Sequence, residues 1–137
     1  MPPAFPSVHR IVFLCVENSC RSQMAEAFAR RHGGPRVDVY SAGSRPANQI
    51  NAKAVEVMGE RGFSLAQHQP KALADLPEME FDVAVTMGCG DECPALRARR
   101  REDWSIPDPK DMPPDEFRKV RDSIDAKVQE LLARLNA

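Results

Sequence analysis

The chain has 137 residues, one domain's worth, with 42% hydrophobic and 28% charged side chains, which excludes a disordered tail or a fibre. Twenty acidic and nineteen basic residues leave a formal charge of -1, which argues against a general nucleic-acid binder. The longest apolar run, Ile11 to Val16, is far shorter than the ~20 residues of a membrane span. No charged-then-apolar signal precedes it, so a cytoplasmic protein without a membrane partner is expected. Four cysteines in such a chain point to catalysis, redox chemistry or metal rather than a disulfide scaffold.

Met1 to Ser7 carries three prolines, and residues 1–9 read as a loose leader to a single domain over 10–137. Ile11-Val12-Phe13-Leu14-Cys15-Val16 is continuous and rich in β-branched residues, as a strand buried on both faces should be. After the polar loop Glu17 to Arg21, a helix opens at Ser22, with Met24, Ala27, Phe28 and Arg31 near helical spacing, and Gly33-Gly34-Pro35 stops it. Val37 to Ser41 alternates as a strand, and Ala42 to Pro46 turns away from it. Asn51 to Glu60 is a second helix and Phe81 to Met87 another buried strand. The latter runs into Gly88-Cys89-Gly90-Asp91-Glu92-Cys93-Pro94, too rich in glycine for an element interior. A proline-rich loop, Pro107 to Pro114, precedes an amphipathic helix on which Phe117, Val120, Ile124, Val128, Leu131 and Leu135 step by three and four. Strands alternating with helices predict a small α/β domain on a parallel sheet.

Cys15-Val16-Glu17-Asn18-Ser19-Cys20-Arg21-Ser22 leaves a buried strand and enters a helix, where an open parallel sheet places its ligands. Successive loop amides of Glu17, Asn18, Ser19, Cys20 and Arg21, with the helix N-terminus, form a nest for a tetrahedral oxyanion, which the Arg21 guanidinium can grip through two nitrogens. A thiol at the start of such a nest is stabilised as thiolate, and Ser22 can donate a hydrogen bond to it. A bare C-x5-R would often arise by chance; its place between strand and helix favours an oxyanion-binding loop with its own nucleophile.

Arg10 to Glu26 resembles the phosphate-binding loop of the low-molecular-weight protein tyrosine phosphatase superfamily. With Met24-Ala25-Glu26 behind Arg21-Ser22-Gln23 it is most similar to the arsenate reductase branch that couples to thioredoxin. The likeness continues through Tyr40-Ser41-Ala42-Gly43 and Thr86-Met87-Gly88-Cys89 to Asp108-Pro109. It implies a single-domain, four-stranded parallel sheet flanked by helices; for this chain no cofactor and no bound metal are expected. It further implies Cys15 as nucleophile, Arg21 as oxyanion clamp, Ser22 as thiolate stabiliser, Asn18 as loop support and Asp108 as general acid. An acid is needed because hydroxide leaves arsenic poorly unless protonated, and Asp108 is held between two prolines.

Cys89 and Cys93 separate this branch from simple phosphatases, which need only water to clear a cysteinyl-phosphate. A resolving thiol at Cys89 can attack the Cys15–arsenic adduct and release arsenite. Cys93 then attacks Cys89 and carries the disulfide outward to a reductant, thioredoxin or a low-molecular-weight thiol. The resemblance implies the same relay, often with a longer gap between the two resolving cysteines. Expected partners are arsenate, with phosphate or sulfate as analogues, and that reductant; a monomer is expected.

Two departures from the family pattern stand out, at Glu17 and Lys71, and one feature argues against the phosphatase branch. Glu17 replaces a frequent glycine and places a carboxylate near an anion pocket. Lys110-Asp111 follows Asp108-Pro109 where phosphatases usually carry tyrosines. The branch can hold potassium beside the loop through asparagine, glutamate, serine and aspartate; Asn18, Glu26 and Ser41 match the first three, but Lys71 stands in place of the aspartate. Its ammonium either reaches Glu26 and the Asn18 side chain as a built-in substitute or points into solvent, as most lysines do.

Competing readings are a phosphomonoesterase acting on phosphotyrosine or a small phosphate ester, a non-enzymatic oxyanion or redox sensor, and a structural zinc site of Cys15, Cys20, Cys89 and Cys93. Cys20 reads better as a small packing residue, the arginines at 97 and 99–101 as a solvated face, His32 as a cation at a helix C-terminus, and Trp104 as the anchor of the loop before Asp108.

Overall fold

The computed structural model describes residues 8–88 and 96–135. The greater part of the expected leader, together with Cys89 and Cys93, lies outside them. The elements run β1 (His9–Cys15), α1 (Arg21–Gly33), β2 (Val37–Gly43), α2 (Ala52–Gly59), β3 (Phe81–Thr86), β4 (Ala98–Asp103) and α3 (Pro114–Leu135). All strand pairings are parallel, in the order β2-β1-β3-β4. The expected α/β class and four-stranded parallel sheet are present.

The period-two rule of a strand divides β1 between two cores. Ile11, Phe13 and Cys15 join a large cluster with Met24, Ala25 and Phe28 of α1, Val57 and Met58 of α2, and Phe117, Ile124, Val128 and Leu131 of α3. Val12 and Leu14 face a smaller cluster with Ala42, Phe81 and Ala84, bordered by Leu73, Leu76 and Met79 from an irregular stretch. Ile11 to Leu14 are between 0% and 1% exposed, so the continuous apolar run reflects burial on both faces.

Several boundaries move. β1 opens at His9, inside the expected leader. β2 continues through Ala42 and Gly43 instead of turning there, because this end pairs in register with Leu14 and Cys15. α1 opens at Arg21; its buried stripe is Met24, Ala25, Phe28 and Ala29, and Arg31 is exposed. α2 is capped by Asn51, whose Oδ1 accepts from the amides of Lys53 and Ala54 at 2.9 and 3.3 Å.

β4, Ala-Arg-Arg-Arg-Glu-Asp, was not read from the pattern. Among the described residues it pairs only with β3, at the edge of the sheet, and its charged side chains protect that edge. Arg99, Arg100 and Arg101 are exposed as expected, but on a strand. Trp104 directly follows β4, buried against Phe13 with ring centroids 5.8 Å apart, and its amide donates to Thr86. His32 does more than face a dipole: Nε2 lies 2.7 Å from Asp125 Oδ1 on α3. Among the described residues, no helix is long and apolar enough to cross a membrane.

Candidate active site

β1 delivers Cys15 to the carboxyl edge of the sheet and α1 begins six residues later. Because β2 and β3 lie on opposite sides of β1, the connections diverge here, opening the crevice that parallel sheets use for ligands. The loop is pressed against β2, where a Cβ on Gly43 would stand 2.5 Å from the Val16 carbonyl oxygen. Arg45, Ala47 and Asn51 amides donate to the carbonyls of Val16, Glu17 and Ser19.

Two donors converge on the Cys15 sulfur. The Asn18 amide donates to it at 3.3 Å, and the Ser22 hydroxyl lies 2.8 Å away. Asn18 Nδ2 donates to Ser22 Oγ at 2.7 Å, which leaves the hydroxyl hydrogen for the sulfur. Asn18 is fully buried with φ of 53°, a left-handed conformation asparagine tolerates better than most residues. Cys20 is also buried, but burial pushes its thiol up to about 12 against a weaker lowering by Ser19. It is a neutral thiol, in keeping with a packing role.

An open cavity of about 250 Å³ faces this loop. Cys15, Glu17, Ser19, Cys20, Arg21 and Asp108 line it, joined by Val16 and Arg45, which sequence reasoning did not single out. The N-terminus of α1 contributes free amides and a positive dipole end on this side. Arg21 is buried and anchored by Nη1 to the carbonyls of Met87 and Ile106, the latter at 3.0 Å. Its Nη2 stands 3.8 Å from Asp108 Oδ2. Gly88, at φ +82°, is needed beside it: a Cβ there would come within 2.8 Å of Nη1. Asp108 is half-exposed, and Oδ1 accepts from the Lys110 amide at 3.1 Å.

Asn18 lies behind the cavity wall, and its side chain enters a buried polar network. Its Oδ1 accepts from Gln23 Nε2 at 2.9 Å and from the Lys71 amide at 2.8 Å. Gln23 Oε1 faces His68 Nδ1 at 3.0 Å, which makes that nitrogen the donor. Burial holds the His68 pKa below its ordinary value despite the nearby Glu26. Glu26 is itself buried, accepts from Ser41 Oγ at 2.7 Å and faces Lys71 Nζ at 3.5 Å. The ammonium–Glu26 contact is therefore present, but Asn18 is reached by the main chain of Lys71 and not by its ammonium. With a cationic group already beside Glu26 and two donors on Asn18 Oδ1, these residues do not fit a bound potassium ion. Gln23 and His68 were missed because neither carries a spacing signal.

Glu17 does not lie free beside the cavity. Its Oε1 accepts from Lys110 Nζ at 3.1 Å.

The profile of the low molecular weight phosphotyrosine protein phosphatase family matches residues 10–137, and the chain belongs to that family. Arsenate reductase 2 of Staphylococcus haemolyticus is 36% identical over 128 residues, 90% of this chain and 96% of that protein. The solved structure of an arsenate reductase in the phosphate binding state superposes with a TM-score of 0.85 at 30% identity, covering 93% of this chain and 98% of the other. A thioredoxin-dependent arsenate reductase of Corynebacterium glutamicum aligns with a TM-score of 0.76 at 32% identity, covering 95% of this chain and 63% of that one.

Proposed function

We propose that the protein is an arsenate reductase that starts its reaction at Cys15. The observation that carries this reading is the pair of donors, Ser22 and the Asn18 amide, on the Cys15 sulfur at the floor of a cavity that Arg21 and Asp108 also line. A thiolate held by hydrogen bonds beside an arginine is a nucleophile facing an anion site. The relatives named as arsenate reductases support arsenate as the oxyanion.

In this mechanism the oxyanion binds against the loop amides and Arg21. The Cys15 thiolate attacks arsenic, and Asp108 protonates the departing hydroxide so that water leaves. The Cys89 thiolate then attacks the Cys15 sulfur; the sulfur–arsenic bond breaks, its electron pair stays on arsenic, and arsenite is released. Cys93 attacks the Cys89 sulfur of the resulting disulfide, frees Cys15 as thiolate and leaves a Cys89–Cys93 disulfide. An external dithiol accepts that disulfide; thioredoxin is favoured by the Corynebacterium glutamicum relative, with a low-molecular-weight thiol as the alternative donor. We place the reaction in the cytoplasm, where thiols are kept reduced, and treat the protein as a monomer.

Lys71 serves in this account as a built-in cation for the loop, holding Glu26 while its amide fixes Asn18. The phosphatase reading shares every step up to the first displacement. The test is a steady-state assay with arsenate and a recycling dithiol. Arsenite formation in step with dithiol consumption supports the reductase; hydrolysis of aryl phosphates with no arsenite formed supports the phosphatase.

A further inference from the structure

Two residues far apart in sequence meet in space. Glu17 sits in the oxyanion loop and Lys110 two residues beyond Asp108, yet Glu17 Oε1 and Lys110 Nζ are 3.1 Å apart. The two halves of Lys110 act on different partners: its ammonium holds Glu17, while its amide donates to Asp108 Oδ1 at 3.1 Å. The bridge therefore ties the loop that carries Cys15 to the loop that carries Asp108, beside the cavity that Glu17 and Asp108 line. The same segment is also held by Arg21 through the Ile106 carbonyl, and its far end by Lys53 through the Met112 carbonyl.

We propose that the Glu17–Lys110 ion pair is a specificity latch, which closes the rim of the pocket around a compact inorganic oxyanion and disfavours an organic phosphate or phosphonate.

The physical basis has two parts. Charge comes first: Glu17 lines the cavity, and an unpaired carboxylate there would repel a dianion. Lys110 cancels that charge, and the hydrogen bond and field of Glu17 in turn hold the ammonium above its ordinary pKa. Lys110 therefore stays charged throughout the neutral range. Shape comes second. An inorganic oxyanion carries no substituent, whereas the group esterified to an organic phosphate must extend past the nest, where Glu17 and Asp108, the two residues that Lys110 holds, line the cavity. Lys110 is thus a positioning residue that acts through Glu17 and Asp108.

This inference rests on the oxyanion-pocket reading, and its test separates the two by measuring binding alone. Cys15 is alkylated with iodoacetamide at constant ionic strength, and protection by inorganic phosphate is compared with protection by phenylphosphonate, which is not turned over. The unmodified protein should be protected more strongly by phosphate. Lys110→Ala should weaken phosphate protection and raise the phenylphosphonate-to-phosphate ratio by about fivefold, the upper range of an exposed ion pair. Glu17→Lys and Lys110→Glu should each disturb the ratio, Lys110→Arg should retain it, and the double swap Glu17→Lys with Lys110→Glu should restore it. Circular dichroism checks that each variant is folded. An unchanged ratio across the folded single variants, or no recovery in the swap, overturns the latch. Failure of phosphate to protect the unmodified protein overturns the pocket reading itself, and the latch with it.

Discussion

Ser22 Oγ lies 2.8 Å from Cys15 Sγ and, on its other side, accepts from Asn18 Nδ2 at 2.7 Å. A hydroxyl has one hydrogen, so this arrangement fixes its direction toward the sulfur and ties the buried network behind the loop to the surroundings of Cys15. With Cys15 as the proposed nucleophile, removing the hydroxyl removes a hydrogen bond to the reacting sulfur. Ser22→Ala should slow Cys15 alkylation near neutral pH about tenfold or more, within the range for a hydrogen bond to a charged group. Rates measured with iodoacetamide under pseudo-first-order conditions check this; an unchanged rate means the serine contributes nothing to the thiolate.

Cys15 and Cys20 should behave oppositely. Cys20 is buried, with its thiol pushed up to about 12, so it should stay unlabelled at pH values up to about 9. Cys15 should label first, and arsenate, phosphate or sulfate should protect it. Cys15→Ser should abolish arsenate reduction and any aryl-phosphate hydrolysis together, since both begin with the same attack. Peptide mapping after brief alkylation reads the order; Cys20 labelled ahead of Cys15 would invert the assignment.

The motif was legible because its parts are consecutive. A buried strand, an anion nest and a helix start within Ile11 to Met24 need no tertiary information, and the both-face burial of β1 follows from its composition. β4 was not legible, because an edge strand of arginine, glutamate and aspartate has neither alternation nor β-branched residues, and its strand state comes from pairing with β3. The network behind the loop was half legible: Asn18, Glu26, Ser41 and Lys71 were expected there, whereas Gln23 and His68 joined through contacts made only in the fold. The Glu17–Lys110 pair spans 93 positions. Each residue stood out alone, but nothing in the sequence joined them.

Lys71 Nζ faces Glu26 Oε1 at 3.5 Å, so the loop should not depend on an added monovalent cation. Activity at constant ionic strength should be the same in sodium and potassium buffers; ionic strength is held fixed because screening alone alters anion binding. Lys71→Asp should create a potassium dependence, and Lys71→Ala should weaken sulfate binding while Cys15 stays reactive. Potassium activation of the unmodified protein would contradict this role.

Asp125, buried on α3, contributes a pH-dependent share of the stability. Burial pushes its carboxyl up, but hydrogen bonds from Gln129, Arg61 and His32 outweigh burial and hold it below its ordinary value. A depressed folded value contributes stability that is present above the unfolded pKa, about 3.9, and is lost as pH falls through the folded one. Asp125→Asn should therefore be less stable by about 1–2 kcal/mol at neutral pH, and the gap should close as pH falls through the folded value. Urea midpoints across that range measure it; a gap independent of pH would assign the loss to packing.

In the proposed relay, Cys89 and Cys93 separate reduction from hydrolysis. Cys89→Ser should stop arsenate turnover but leave slow aryl-phosphate hydrolysis largely intact, because water replaces the thiol there. Cys93→Ser should complete one turnover and then stop. Continued turnover of arsenate by both variants with a recycling dithiol would eliminate the relay.

The most direct test of the central claim is mass mapping of disulfides after one stoichiometric turnover with arsenate and no reductant. The unmodified protein should release one equivalent of arsenite and carry a Cys89–Cys93 disulfide, and Cys93→Ser should release the same amount and trap Cys15–Cys89. Arsenite released with all of these cysteines still reduced, or disulfides formed equally without arsenate, would contradict the account.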